Sequence, residues 1–154
     1  MNIAVFPGSF DPITLGHQNI IERALPLFDK IVVAIGQNAM KKYHFSMEQR
    51  VDFIKATFNN NQKIEIITYT GLTVNFCKKV NANYIIRGIR NNADYMYENS
   101  IAQMNKAMAG NIETIFIPTI PELSAINSTI VRDIILNGGD ASQFVPAAIK
   151  GKLI

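Results

Sequence analysis

The chain has 154 residues, of which 48% are hydrophobic and 18% charged, a balance suited to one soluble domain with an ordinary core. Its net charge is +3, and only Lys41-Lys42 and Lys78-Lys79 place basic residues side by side, which fits small anionic ligands better than nucleic acid. No apolar run is long enough to span a membrane, and the single cysteine, Cys77, excludes an internal disulfide and fits a reducing cytoplasm.

In chain order, β-rich and helix-periodic stretches alternate. Met1 leads straight into a strand over residues 3–6 with no basic segment before it, so no secretory leader is expected. Pro7-Gly8 and Asp11-Pro12 are turn signals. Ile20, Ile21, Ala24 and Phe28 then recur at helical spacing, predicting a helix over 15–28 whose last turn Pro26 disturbs. Residues 30–35 are a continuous apolar strand of the kind buried on both faces, followed by a polar loop over 36–45. Ser46-Met47-Glu48-Gln49 is a capping box, and Met47, Val51, Ile54 and Phe58 form the stripe of the next helix.

After a turn at 59–62 come a strand at 64–68, a loop, and a helix to Val80 with Thr73 as its expected N-cap. A strand over 84–86 ends at Arg87-Gly88-Ile89-Arg90. A long helix over 93–108 stops at Gly110-Asn111, and a fifth strand covers 114–117. A loop over 118–124 leads to Asn127-Ser128-Thr129, which starts a helix reaching Leu136. Gly138-Gly139 closes it, and a short helix over 146–152 ends the chain. The alternation implies an α/β fold: a single domain, 1–154, with a Rossmann-like doubly wound five-stranded parallel sheet and helices on both faces. Ligands of such sheets bind beyond the strands' carboxyl ends, where strand order reverses. Ser9, Lys41, Thr73, Arg87, Arg90 and Ser128 each follow a strand and converge there.

The stretch from Ala4 to His17 organises the rest. A Gly-containing loop running into a helix N-terminus suits phosphate, through free N–H groups and partial positive charge. His17 stands there with a side chain able to donate to a phosphate oxygen. Gly8 and Gly16 also read as plain turn glycines, and His17 as a structural histidine. Ser9, Asp11 and His17 have a hydrolase triad's composition, but the G-x-S-x-G elbow is missing. Two arginines around Gly88 can grip phosphates through planar donor forks, or pair with Asp94 and Glu98. Lys41-Lys42 alone would be a solvated charge pair, Asn127 to Thr129 at least a cap, Cys77 core, and Met104 with Met108 core or an oligomer surface. His17 and His44 are the only histidines and form no metal-binding spacing; both the Walker pattern and G-x-G-x-x-G are absent.

Phe6-Pro7-Gly8-Ser9-Phe10-Asp11-Pro12 with Thr14-Leu15-Gly16-His17 resembles the nucleotidyltransferase superfamily carrying an H/T-x-G-H motif. Asn127 to Arg132 resembles its second signature, with Asn127 where serine is common. Ile86 to Arg90 followed by Asp94, Tyr95, Tyr97 and Glu98, with Lys41-Lys42 after the second strand, resembles the bacterial phosphopantetheine adenylyltransferase family across nearly the entire chain. That resemblance implies transfer of AMP from ATP to 4′-phosphopantetheine, giving dephospho-coenzyme A and pyrophosphate by direct in-line attack. It also implies Mg2+, a cytoplasmic homohexamer, and no nucleic-acid or membrane partner. It casts His17, Lys41 and Arg90 as catalytic. Ser9, Phe10, His17, Gly88, Ile89, Arg90, Glu98, Leu123, Ser124, Ala125, Ile126, Asn127, Ser128 and Thr129 would contact ATP. Ser9, Lys41, Thr73 and Arg87 would hold phosphopantetheine. No metal ligand is expected from the protein. An already anionic phosphate nucleophile needs no general base, which agrees with the lack of an obvious acid–base pair. The alternatives are a same-fold nucleotidyltransferase with another phosphorylated acceptor, and a non-catalytic nucleotide-binding module.

Overall fold

A computed structural model describes residues 1–59 and 61–154. Five strands, β1 (Ile3–Gly8), β2 (Lys30–Gly36), β3 (Ile64–Tyr69), β4 (Tyr84–Ile89) and β5 (Glu113–Pro118), form one parallel sheet in the order β3-β2-β1-β4-β5. Five α-helices connect or follow them: α1 (Leu15–Ala24), α2 (Met47–Phe58), α3 (Thr73–Lys79), α4 (Asn92–Met108) and α5 (Ser128–Leu136). Alternation along the strands fills both faces. Ala4, Phe6, Ile31, Val33 and Ile86 pack with Ile20 and Ile21 of α1, Phe53 and Ile54 of α2, and Val131 of α5. Val5, Val32, Ala34 and Ile85 pack on the other face with Val74, Phe76 and Cys77 of α3. Two-sided burial explains the continuous apolar runs of β1 and β2.

Strand order reverses between β1 and β4, and the register there opens a crevice. β1 stays paired with β2 through Gly8, and β4 with β5 through Ile89. Between β1 and β4 only Ala4↔Tyr84 and Val5↔Ile85 pair. The two central strands therefore separate over their carboxyl halves, Phe6–Gly8 on one side and Ile86–Ile89 on the other.

Local chemistry accounts for most element ends. Ser46 and Gln49 form the expected capping box of α2. Asn127 caps α5 by accepting from the Ile130 N–H at 2.9 Å. Helix α1 stops at Ala24, and Leu25–Leu27, holding Pro26, tightens into a 3-10 turn, as an interior proline requires. Three expectations shift. β1 and β4 run on through Gly8 and Ile89, because pairing to β2 and β5 extends their ladders, so Arg87 and Gly88 lie inside a strand. Helix α4 begins at Asn92, with Asn91 as its cap. Thr73 is not an N-cap: Leu72 holds the extended cap conformation, and the Thr73 hydroxyl, already in the helix, meets the Tyr69 hydroxyl at 2.9 Å. Of the turn expected at 59–62, Asn60 lies outside the described residues; Asn59 ends α2 in the left-handed region at φ 44°. Among the described residues no helix is long and apolar enough to cross a membrane.

Candidate active site

The crevice holds a cavity of about 280 Å3. Its walls come from the β1–α1 junction (Gly8, Ser9, Gly16, His17), the end of β4 and the residue beyond it (Arg87, Gly88, Arg90), the first two turns of α4 (Asp94, Glu98) and the entry to α5 (Ile126, Asn127, Ser128). Segments far apart in sequence thus meet at one sheet edge, as the parallel arrangement dictates.

His17 is fixed by its own helix end. The Thr14 N–H donates to His17 Nδ1 at 3.0 Å, and the Thr14 hydroxyl lies 3.1 Å from the same nitrogen. The Thr14 side chain in turn accepts from the His17 N–H, closing a capping box in which histidine replaces the usual Glu or Gln. Because a backbone N–H can only donate, Nδ1 is the accepting nitrogen and Nε2 carries the proton of the neutral ring. Burial, then the positive charges of Arg87 and Arg90, lower the His17 pKa to about 4. At neutral pH the ring is an uncharged donor with its tautomer set. The Phe10 ring packs edge-on at 5.0 Å and Phe6 at 6.3 Å, holding the imidazole plane.

Phe10 supports the loop from behind. It is buried and takes a left-handed φ of 48°, which swings its ring under Gly8. A Cβ on Gly8 would sit 3.0 Å from that ring, so the glycine is needed for close approach. Gly16 is less demanding: a Cβ there would meet only ordinary contacts at 3.5 and 3.8 Å.

The two arginines realise both sequence readings at once: they line the cavity and they are paired. Arg87 Nε and Nη2 donate to the Glu98 carboxylate at 2.9 and 2.6 Å, and Nη1 donates to the Pro7 carbonyl at 2.7 Å. Arg90 donates from Nε to Asp94 Oδ2 at 3.1 Å and from Nη2 to Oδ1 at 3.3 Å. The Arg87 bond to Pro7 bridges β4 to β1 across their unpaired ends.

A second cavity, of about 210 Å3, shares Pro7, Gly8, Arg87 and Glu98 with the first. Tyr69, Ile85, Ile101 and Ala102 give it an apolar side, and Thr73 and Asn105 also line it. The Arg87–Glu98 pair is therefore the partition between two chambers.

Several expected residues stand elsewhere. Lys41 is exposed and does not line the first cavity, but its Nζ donates to the Ser9 hydroxyl at 2.9 Å, placing it at the rim. Phe10 stands behind Gly8, and Ile89 is not in the lining. Leu123, Ser124, Ala125 and Thr129 are also outside the lining. The Ser124 hydroxyl donates to Pro121 O at 2.9 Å, and the Thr129 hydroxyl accepts from Arg132 at 3.3 Å. Ser128 lines the cavity, yet its hydroxyl donates to Pro12 O at 2.9 Å. With the Asn127 oxygen engaged as a cap, this segment offers an anion the Asn127 Nδ2 donors and the free N–H groups of the first α5 turn.

Sequence reasoning missed Arg50. It is 2% exposed, donates from Nη1 to Ser9 O at 2.8 Å, and stacks its guanidinium 4.0 Å from the Tyr43 ring centroid. The available signal was a charged residue on the apolar stripe of α2, between Met47 and Ile54. Asp11 is likewise a strut and not a triad acid: its carboxylate accepts from the His44 and Phe45 N–H groups, both at 2.8 Å.

A family profile described as cytidylyltransferase-like matches residues 5–134. The phosphopantetheine adenylyltransferase of Flavobacterium psychrophilum is 53% identical over 152 residues, 99% of this chain and 100% of the relative. That of Bacteroides thetaiotaomicron is 43% identical over 97% of this chain and 99% of its own. In structure, a bifunctional NMN adenylyltransferase/ADP ribose pyrophosphatase from Francisella tularensis superposes with a TM-score of 0.78 at 19% identity, over 99% of this chain and 48% of that longer one. At that identity the likeness concerns the fold. By profile and by full-length identity, the chain belongs to the cytidylyltransferase-like family and, within it, to the phosphopantetheine adenylyltransferases.

Proposed function

We propose that this chain transfers the adenylyl group of ATP to the phosphate of 4′-phosphopantetheine, releasing dephospho-coenzyme A and pyrophosphate, a step of coenzyme A synthesis. The carrying observation, beside full-length relatives of that name, is the pair of cavities sharing the Arg87–Glu98 wall. One chamber, bounded by two helix N-termini and Arg90, suits a nucleotide triphosphate. The other, partly apolar and ending at Arg87, suits a pantetheine arm with its phosphate directed at the shared wall.

An oxygen of the acceptor phosphate forms a bond to the α-phosphorus of ATP. The bond from that phosphorus to the oxygen bridging to the β-phosphate breaks, and pyrophosphate departs with the electron pair. His17 Nε2–H donates to an α-phosphate oxygen as charge gathers there. Loss of one such preorganised donor typically costs about 3–4 kcal/mol of transition-state stabilisation. Holding both reactants in line contributes about 7–11 kcal/mol more. Nδ1 is occupied by Thr14 and Nε2 is protonated, so His17 is a donor and not a nucleophile. Lys41, Ser9 and Arg87 would bind the acceptor phosphate, and Arg90 with the α5 N-terminus the β- and γ-phosphates. Thr73 would meet the acceptor in the second chamber.

Among the described residues no three His, Cys, Asp or Glu side chains converge on a metal position, and both cavity acids, Asp94 and Glu98, are bonded to arginines. That donor set fits Mg2+ arriving on ATP phosphates with most of its waters, as this ion prefers. When bound it would neutralise charge on the departing pyrophosphate.

Self-association, as the hexamer implied by the family resemblance, is the reading of the assembly; the apolar face of α4 supports association without fixing the number of copies. That helix buries none of its residues and exposes Tyr95, Met96, Tyr97, Met104 and Met108 along its length. Light scattering of the purified chain measures the assembly. A cytoplasmic location fits the pathway and the lone cysteine.

Incubation with ATP and Mg2+ against a panel of acceptors, followed by mass detection, tests the function. Dephospho-coenzyme A and pyrophosphate are expected with 4′-phosphopantetheine. Turnover of nicotinamide mononucleotide in its place would assign another acceptor, and nucleotide binding without pyrophosphate release would leave a binding module.

A further inference from the structure

We propose that Arg50 is a positioning residue for the transfer: its buried guanidinium fastens the Ser9 loop and the Lys41 loop to α2, fixing the Ser9–Lys41 pair at the acceptor phosphate. The inference rests on the reading of Ser9 and Lys41 as phosphate ligands.

Arg50 reaches Ser9 directly and Lys41 by way of Tyr43. On one side Nη1 donates to the Ser9 carbonyl at 2.8 Å, holding the residue whose hydroxyl accepts from Lys41 Nζ at 2.9 Å. On the other, its guanidinium lies 4.0 Å from the Tyr43 ring centroid, and Lys41 Nζ lies 5.6 Å from the same ring. Tyr43 in turn ties down the loop that carries Lys41. Its hydroxyl accepts from the Asn38 N–H at 3.0 Å and donates to Gly36 O at 3.4 Å. Asp11 secures the end of the same loop at His44 and Phe45. Lys41 itself is exposed, on a flexible four-carbon stem. Among the described residues, only the Ser9 and Tyr43 contacts confine its ammonium group.

Core packing alone is a poor reason for an arginine at this place. Its Nε is buried and has no hydrogen-bond partner among the described residues, a situation that costs free energy. Even buried ion pairs are often replaced by well-packed apolar side chains without loss of stability, so burial by itself does not call for a charge. What an apolar residue lacks is a donor for Ser9 O combined with a flat cationic face for Tyr43. Lysine lacks that face too.

The experiment is a double-mutant cycle in the full chain, reading kcat/KM for 4′-phosphopantetheine. Arg50→Lys and Tyr43→Leu are each expected to lower it by about tenfold, since small misplacements of a reacting group carry such losses. In a Lys41→Ala background each should lower it by less than about threefold, because contacting residues on one path do not add. ATP affinity should stay within about twofold in all variants, in keeping with an effect confined to the acceptor side. Should Arg50→Lys fail to fold, the half-buried Tyr43 carries the same test. Equal losses with and without Lys41 would overturn the inference and mark Arg50 as a fold residue; no loss in either background would overturn it by showing that Arg50 is dispensable to the transfer. A fully active Lys41→Ala variant would instead overturn the Lys41 reading and take the inference with it.

Discussion

The two sides of the nucleotide chamber are built on opposite terms. On the β1–α1 side, internal bonds complete the geometry and leave the reactive group available: Thr14 occupies Nδ1 of His17, so Nε2–H is free to donate. On the β4–α4 side, internal bonds occupy the groups a ligand would want: Arg87 is engaged by Glu98 and Pro7, and Arg90 by Asp94. In the proposed transfer, the first side would be preset for charge that develops at the α-phosphorus. The other is latched, so an incoming phosphate must share or displace a carboxylate. On the proposed function, the contrast would separate residues that lower the barrier from residues that set affinity.

Removing the preset donor should have the largest effect. His17→Ala is expected to cut turnover by about 100-fold or more while ATP affinity stays within about twofold, measured by steady-state rates and calorimetry. Near-normal turnover would take His17 out of the mechanism. On the latched side, Arg87→Ala should weaken phosphopantetheine binding by about tenfold, and ATP binding by less. The reverse ranking would exchange the two chambers. Glu98→Gln sharpens the contrast further: with the competing charge gone, Arg87 is released, and acceptor affinity should rise severalfold in calorimetry. A fall would show that Glu98 aids the acceptor. The smallest effect concerns stability. Native His17 has a pKa of about 4 against 6.5 for an ordinary histidine, so between those values the unfolded chain binds the extra proton. The neutral ring's contribution is complete above pH 6.5 and is lost as pH falls toward 4. Thermal melts of His17→Asn should therefore decline less steeply across that window than those of the wild type. Parallel curves would place the titration elsewhere.

Much of this arrangement was legible in the chain. Alternating β-rich and helix-periodic runs imply a parallel sheet, and a parallel sheet sends His17, Arg87, Arg90 and Ser128 to one edge. The splay of β1 from β4 was not legible, because it depends on where pairing stops, at Val5↔Ile85, and not on any one strand's residues. Motif membership also says little about orientation. Phe10 sits in the most informative stretch, yet its left-handed backbone turns the ring into the core, where it braces His17 and Gly8. Asn127 and Ser128 belong to the second signature, but their side chains are engaged in capping and in holding Pro12. Arg50 was hidden for the opposite reason. On the apolar stripe of α2 its charge is out of pattern, but its partners, Ser9 O and the Tyr43 ring, come only from loops brought in by the fold.

The most direct test of direct transfer is the stereochemical course with one isomer of adenosine 5′-(1-thiotriphosphate) as donor. A single in-line displacement, with His17 a neutral Nε2–H donor and no nucleophile supplied by the protein, predicts inversion at the α-phosphorus of the thio-analogue of dephospho-coenzyme A. Retention would mean two displacements through a covalent adenylyl-enzyme, and would contradict it.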